Sequence, residues 1–248
     1  MRTSVLLIVV LSVLFAVQAA AADKKITAGV AANFIIPFGE IAGLFEKETG
    51  IKVEPVFTSS GKLYAQIVSG APYDVFLSAD EERPAKLFKD GLAEKPFVYA
   101  KGQVVLWSAD RKLCTGEKDW IGAVRSASVK KIAIANPETA PYGAASMEAL
   151  KAAGLSEEIK GKFVFPQDIG QAFQYASTGS VDAGFCALSS AVSEEGKKGC
   201  HLPVGQAPMI VQAACVLVRS TGRVNADRFA AFLLTPEAVQ VKEKYGYK

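Results

Sequence analysis

Histidine is nearly missing from this sequence: its 248 residues include one, His201. A serine hydrolase needs a nucleophile, a base and an acid to orient the base, and no G-x-S-x-G elbow accompanies that single histidine. Exported hydrolase is therefore a distant reading, and the chain is expected not to be an enzyme. Cysteine is scarce as well, four in all without a C-x-x-C. Cys200-His201 alone makes a poor metal site, so direct metal ligands are not expected. Charge of one sign is also lacking. Lys+Arg number 28 against 25 Asp+Glu, a net +3 to which Arg2 contributes one. That near-balance excludes the basic stripe a nucleic-acid partner requires. Beyond the N-terminus no apolar run approaches the roughly 20 residues of a membrane span. Low-complexity linkers and close internal repeats are absent too.

What is present begins with Arg2 and an almost unbroken apolar run from Val5 to Val17, followed by Ala20-Ala21-Ala22 before Asp23. This is the pattern of a cleaved export signal over residues 1–22, with cleavage after Ala20 nearly as suitable. The mature chain is expected in the periplasm, free of a lipid anchor. In such a compartment four cysteines invite disulfides and allow three full pairings. Cys186 and Cys215 sit in apolar strand-like runs and read as buried thiols. Cys114 and Cys200 lie beside turn-like sequence and are the better candidates for one bridge.

From Lys25 the chain alternates strands with helices. Lys25–Ala31, Ile51–Phe57 and Asp74–Leu77 read as strands. Between them Phe38, Ile41, Ala42 and Phe45 share one helical face, and Leu63, Ile67 and Val68 mark a second helix. The rhythm then restarts, with strands at 103–107, 130–135, 162–165, 182–188 and 212–218 and helices at 142–153, 169–176, 225–234 and 236–245. This βαβ pattern predicts parallel sheets covered by helices. The fold class is α/β in two lobes, each an α/β domain, joined by a two-strand hinge near Gln103 and Gln212. Lobe I comprises 23–103 plus 212–248, and lobe II comprises 104–211. A cleft between hinged lobes is a binding architecture.

Four positions fall where a helix begins after a strand: Asn33, Ser60, Tyr142 and Ile169, two from each lobe. Free N–H groups and the positive helix end converge at such points and suit an anion. Each alone could be only a cap; four on the ligand side of α/β sheets point to a shared site. No Lys or Arg falls among them. Arg83 and Arg111 lie in charged stretches and read as solvated surface. Ser60-Gly61-Lys62 is not a phosphate loop, because Val56 stands where that loop needs glycine. A site built from neutral donors favours a fully deprotonated tetrahedral oxyanion. Phosphate would bring a proton with no acceptor, since Asp168 as an N-cap has its oxygens engaged. Sulfate, molybdate and tungstate all satisfy these terms.

Val30-Ala31-Ala32-Asn33-Phe34, Phe57-Thr58-Ser59-Ser60-Gly61-Lys62-Leu63 and Gly70 through Asp80 resemble successive signatures of the periplasmic molybdate-binding proteins. So do Asn136 through Gly143, Ser177-Thr178-Gly179 through Gly184-Phe185, and the closing Lys244-Tyr245-Gly246-Tyr247. The resemblance spans the mature chain in order. It implies a type II periplasmic solute-binding fold and a monomer that delivers molybdate or tungstate to an ABC permease in the inner membrane. No cofactor is implied: the metal is bound as its oxyanion through Asn33, Ser60 and the backbone amides of Tyr142 and Ile169. Another oxyanion such as sulfate is the alternative ligand. Asn33 stands where many members carry Ser, Tyr142 where some carry a small residue, and Ala187 about where certain members place a further Tyr. Paired tyrosines serve some two-lobed iron binders, but Tyr245 and Tyr247 read here as the end of a C-terminal helix.

Overall fold

The computed structural model describes residues 25–117 and 119–248; the expected export signal, 1–22, lies outside the described residues. The first stretch runs β1 (Lys25–Ala31), α1 (Ile35–Thr49), β2 (Lys52–Thr58), α2 (Ser60–Val68), β3 (Val75–Leu77), α3 (Glu82–Lys89) and β4 (Phe97–Gly102). The second holds β5 (Val104–Ser108), α4 (Arg111–Gly116), α5 (Trp120–Arg125), β6 (Ile132–Ala133), α6 (Pro141–Ala152), β7 (Phe163–Val164), α7 (Ile169–Ser177), β8 (Ala183–Ala187), α8 (Leu188–Ala191) and β9 (Cys200–Pro203). The chain closes with β10 (Ile210–Val216), α9 (Arg223–Phe232) and α10 (Pro236–Lys244).

Two five-stranded sheets result, ordered β2-β1-β3-β10-β4 and β7-β6-β8-β5-β9. One residue, Gln103, separates the end of β4 from the start of β5, so the outward crossing is nearly a continuous strand. The return runs from Pro203 to Ile210. The expectation of parallel sheets is corrected here: both are mixed. β1 is parallel to β2 and β3, but β10 runs antiparallel to β3 and β4, and β5 runs antiparallel to β8 and β9. The crossing strands cause this, because a direct passage between sheets enters each one against its βαβ units.

The helical periodicity of α1 places Pro37, Phe38, Ile41 and Phe45 in the lobe I core. Phe229 of α9 meets Phe38 and Phe45 edge-on at 5.8 and 5.2 Å, the geometry that aromatic quadrupoles prefer. Gly50, at φ 70°, ends α1 in the left-handed cap only glycine adopts freely. Lobe II packs around both tryptophans of the chain. Trp107 donates to Gly196 O at 2.9 Å and meets Phe173; Trp120 donates to Gln206 Oε1 at 2.8 Å and meets Phe185. Cys114 of α4 is bridged to Cys200 of β9, and Cys186 and Cys215 are buried free thiols, as the sequence suggested.

Lys242 of α10 is buried, its Nζ donating to Tyr99 O at 2.7 Å and Leu233 O at 2.8 Å. Burial depresses its ammonium to about 8 from 10.5. Between those values the unfolded chain holds more protons than the folded one, so this residue makes stability rise with pH. Urea titrations should show a contribution of up to about 1.4 kcal/mol per pH unit from pH 8 to 10. Lys242→Met should lack that slope, and an identical pH dependence in the two proteins would refute the assignment.

Candidate functional site

The four helix starts anticipated from sequence meet in one cavity between the lobes. Asn33 lies in the 3-10 turn Ala32–Phe34 that joins β1 to α1, and Ser60 begins α2 directly after β2. Tyr142 and Ile169 open α6 and α7 from lobe II. All four line a tight space of ≈ 10 Å³ together with Ser59, Ala79, Ala140 and Asp168. That is room for about one water molecule, far below the about 300–1,000 Å³ of sites for drug-sized ligands, so the two lobes are drawn closely together over it. Among the described residues no lysine or arginine lines it. A larger groove, ≈ 360 Å³, opens beside the hinge against Val105, Leu188, His201 and Met209. It is mainly apolar, and the one helix start on it, Leu188 of the four-residue α8, offers an apolar side chain. His201 sits there on the exposed edge strand β9, paired opposite Trp107.

The local chemistry leaves donors available. Neither Ala31, Ser59 nor Ala140 caps its helix with a side-chain hydrogen bond. In α6, Pro141 at the first position has no N–H, and the N–H groups of Tyr142 and Gly143 follow it at the cavity end. Gly143 is required there: a Cβ would collide with the carbonyl of Ala135. Asp168 does cap α7, accepting from Gln171 N at 3.0 Å as expected. Ser60 Oγ accepts the N–H of Ala79 at 2.9 Å. With its lone pair so engaged, its own proton is free to be donated into the cavity.

Asn33 is held differently from expectation. Its Nδ2 donates to Gln212 Oε1 at 2.8 Å and Tyr247 Oη at 3.0 Å, while Oδ1 is buried without a partner. Residues with no part in the site as read from sequence surround it. Gln212 is fully buried; it accepts from Tyr99 at 3.0 Å and donates to Tyr142 Oη at 3.1 Å. Tyr247 donates to Asn33 O at 2.7 Å, so it is more than the end of a helix. Its placement follows from the backbone, because Lys248 pairs with Lys101 in both directions at 2.7 and 3.0 Å and folds the tail back. Burial, first of all, raises the phenols of Tyr99 and Tyr142 well above their ordinary range and pushes Tyr247 up to about 12. All three therefore stay protonated donors near neutrality. Ser59 Oγ is a second buried polar atom without a partner, and Thr139 Oγ1 a third. The signal for Ser59 was its place at the strand-to-helix turn beside Ser60. Gln212 and Tyr247 gave no local signal.

The lobes touch through direct bonds. Gly61 N donates to Thr139 O at 2.8 Å, Gln167 Nε2 to Thr58 Oγ1 at 2.8 Å, and Ser189 Oγ to Asn33 O at 2.8 Å. Arg83 is only partly solvated, contrary to its reading as free surface. It pairs with Asp80 and reaches Glu138 O across the cleft at 3.5 Å. Arg111 does remain exposed, donating to Lys197 O and Lys198 O.

Comparison with known proteins places this geometry. Residues 26–248 match the family described as bacterial extracellular solute-binding protein. The chain is 41% identical over 229 residues to the molybdate-binding protein ModA of Rhodobacter capsulatus, covering 92% of this chain and 89% of that one. It superposes on the periplasmic molybdate-binding protein of Azotobacter vinelandii with a TM-score of 0.84 and 36% identity, covering 90% of this chain and 98% of that one. The sulfate-binding protein SubI of Mycobacterium tuberculosis shares the fold at a TM-score of 0.75 and 19% identity, covering 90% and 86% respectively.

Proposed function

Because this chain belongs to the bacterial extracellular solute-binding proteins, and among them to the molybdate-binding proteins, we propose that it captures molybdate, and tungstate, in the periplasm and delivers it to an ABC permease. The observation that carries this reading is the meeting of four helix starts, two from each lobe, on one small cavity that no lysine or arginine among the described residues lines. A dianion enclosed there is held by neutral donors: the hydroxyls of Ser60 and Ser59, the amides of Tyr142 and Ile169, and Asn33. Closure removes water, which strengthens each of these bonds in the lower dielectric. No bond of the ligand is made or broken. The protein acts as a monomer, with lobe I at 23–103 plus 212–248, lobe II at 104–211, and the intact anion passed on when the hinge opens.

Calorimetric titration with molybdate, tungstate, sulfate and phosphate tests the reading. Stoichiometric binding of molybdate or tungstate with sulfate silent is expected. Binding of sulfate alone would keep the site and overturn the ligand, and silence from all four would overturn both. In the same assay Ser60→Ala should weaken molybdate binding by about 1–3 kcal/mol, through loss of a donor to a desolvated charge. Unchanged affinity would remove Ser60 from the site.

A further inference from the structure

An oxyanion needs donors on every wall, yet the Asn33 amide turns its acceptor, Oδ1, away from every donor around it. Its Nδ2 is committed to Gln212 Oε1 and Tyr247 Oη. Turning the amide about its last torsion would offer Nδ2 to the anion. That turn alone would bring Oδ1 against Gln212 Oε1, two acceptors at hydrogen-bond distance, which is repulsive. Asn33 can therefore turn only if Gln212 turns with it.

The surroundings of Gln212 accommodate that second turn. Its Nε2 would then donate one proton to Asn33 Oδ1 and the other to Tyr99 Oη. Tyr99 already lies 3.3 Å from Ser78 O and can pass its own proton there. Gln212 Oε1 would accept from Tyr142 Oη, now the donor across the same 3.1 Å. Tyr247 Oη, which faces the turned Oδ1 across the same 3.0 Å, passes its proton to it, and Asn33 O keeps the bond from Ser189 Oγ at 2.8 Å. Every proton finds an acceptor, and the unpartnered Oδ1 gains a donor.

We propose that Gln212 is the positioning residue that decides which end of the Asn33 amide meets the anion, and that the Tyr142 hydroxyl, arriving from the other lobe, sets Gln212. The inference rests on the reading of the cavity as an oxyanion site. It makes recognition and closure one event: the Tyr142 proton enters the network only when lobe II is seated. It also makes Gln212 a determinant of selectivity, because Nδ2 at the cavity rejects an oxyanion that carries a proton and Oδ1 would welcome it.

A double-mutant cycle on molybdate affinity tests this, with Asn33→Ala, Gln212→Met and the pair measured by calorimetry. Each single change should weaken binding about tenfold or more. The pair should be no weaker than the poorer single variant, since Gln212 acts through Asn33. Losses that multiply would overturn the proposal. A second measurement uses the unaltered protein: the side-chain amide resonances of Asn33 should shift downfield on saturation with molybdate. Unshifted resonances at saturation would also overturn it. Failure of the unaltered protein to bind molybdate would instead bring down the ligand reading, and this inference with it.

Discussion

Gly102→Ala is expected to abolish most of the affinity for molybdate while leaving both lobes folded. Gly102 ends β4, one residue before the outward crossing. A Cβ there would stand inside the envelope of the Tyr142 hydroxyl and 2.6 Å from Gln212 Nε2. Neither group can step aside, since Tyr142 is 1% exposed and Gln212 fully buried. Tyr142 belongs to lobe II and Gly102 to lobe I, so the cheapest relief is separation of the lobes rather than rearrangement within either. Overpacking of this kind costs about 1–3 kcal/mol where a core can adjust. Here it acts on the closed form alone, so affinity should fall by about 5- to 150-fold. Calorimetry measures the loss, and small-angle scattering at saturating molybdate should report a larger radius of gyration than for the parent. A well-folded Gly102→Ala protein with parental affinity would show that the lobes do not meet at this point.

Serine at both Cys114 and Cys200 should lower stability by about 2–5 kcal/mol. The bridge spans 86 residues and joins α4 to the edge strand β9. In the chain-entropy account a loop of that length is among the more costly to leave open. Most of lobe II lies inside it, including Tyr142 and Ile169, yet neither cysteine lines the cavity. Urea unfolding should shift to lower midpoint with molybdate stoichiometry retained. Reduction of the parent protein should reproduce the shift. An unchanged midpoint under both treatments would mean that native packing, not the covalent link, holds α4 to β9.

Parts of this molecule that depend on neighbours in sequence were legible from it. Phe38, Ile41 and Phe45 announced the buried face of α1, and Gly50 its end. The helix starts at Ser60, Tyr142 and Ile169 follow from the same local rules, as does the Asp168 cap. Cys114 and Cys200 stood out because the other two cysteines lay in apolar strands. What escaped depends on distant partners. β4 has no clean alternation and is defined by pairing with β10 more than 100 residues later. The short helices α4 and α5 show no periodicity in sequence although Asp110 and Asp119 cap them; their two turns are too brief for a periodic signal. Gln212 and Tyr247 reach Asn33 across 179 and 214 residues. A buried glutamine in a strand looks like any polar residue in sequence, and only the fold shows that its amide lies beneath the site.

Both tryptophans lie in the lobe II core, Trp107 against Phe173 and Trp120 against Phe185. Intrinsic indole emission is therefore a probe of one half of the molecule only. An unfolding curve followed at tryptophan wavelengths records lobe II, whereas far-ultraviolet dichroism averages both halves. If the hinge lets them melt separately, the two optical curves will part company. A single emission trace would then overstate how cooperatively the whole chain unfolds.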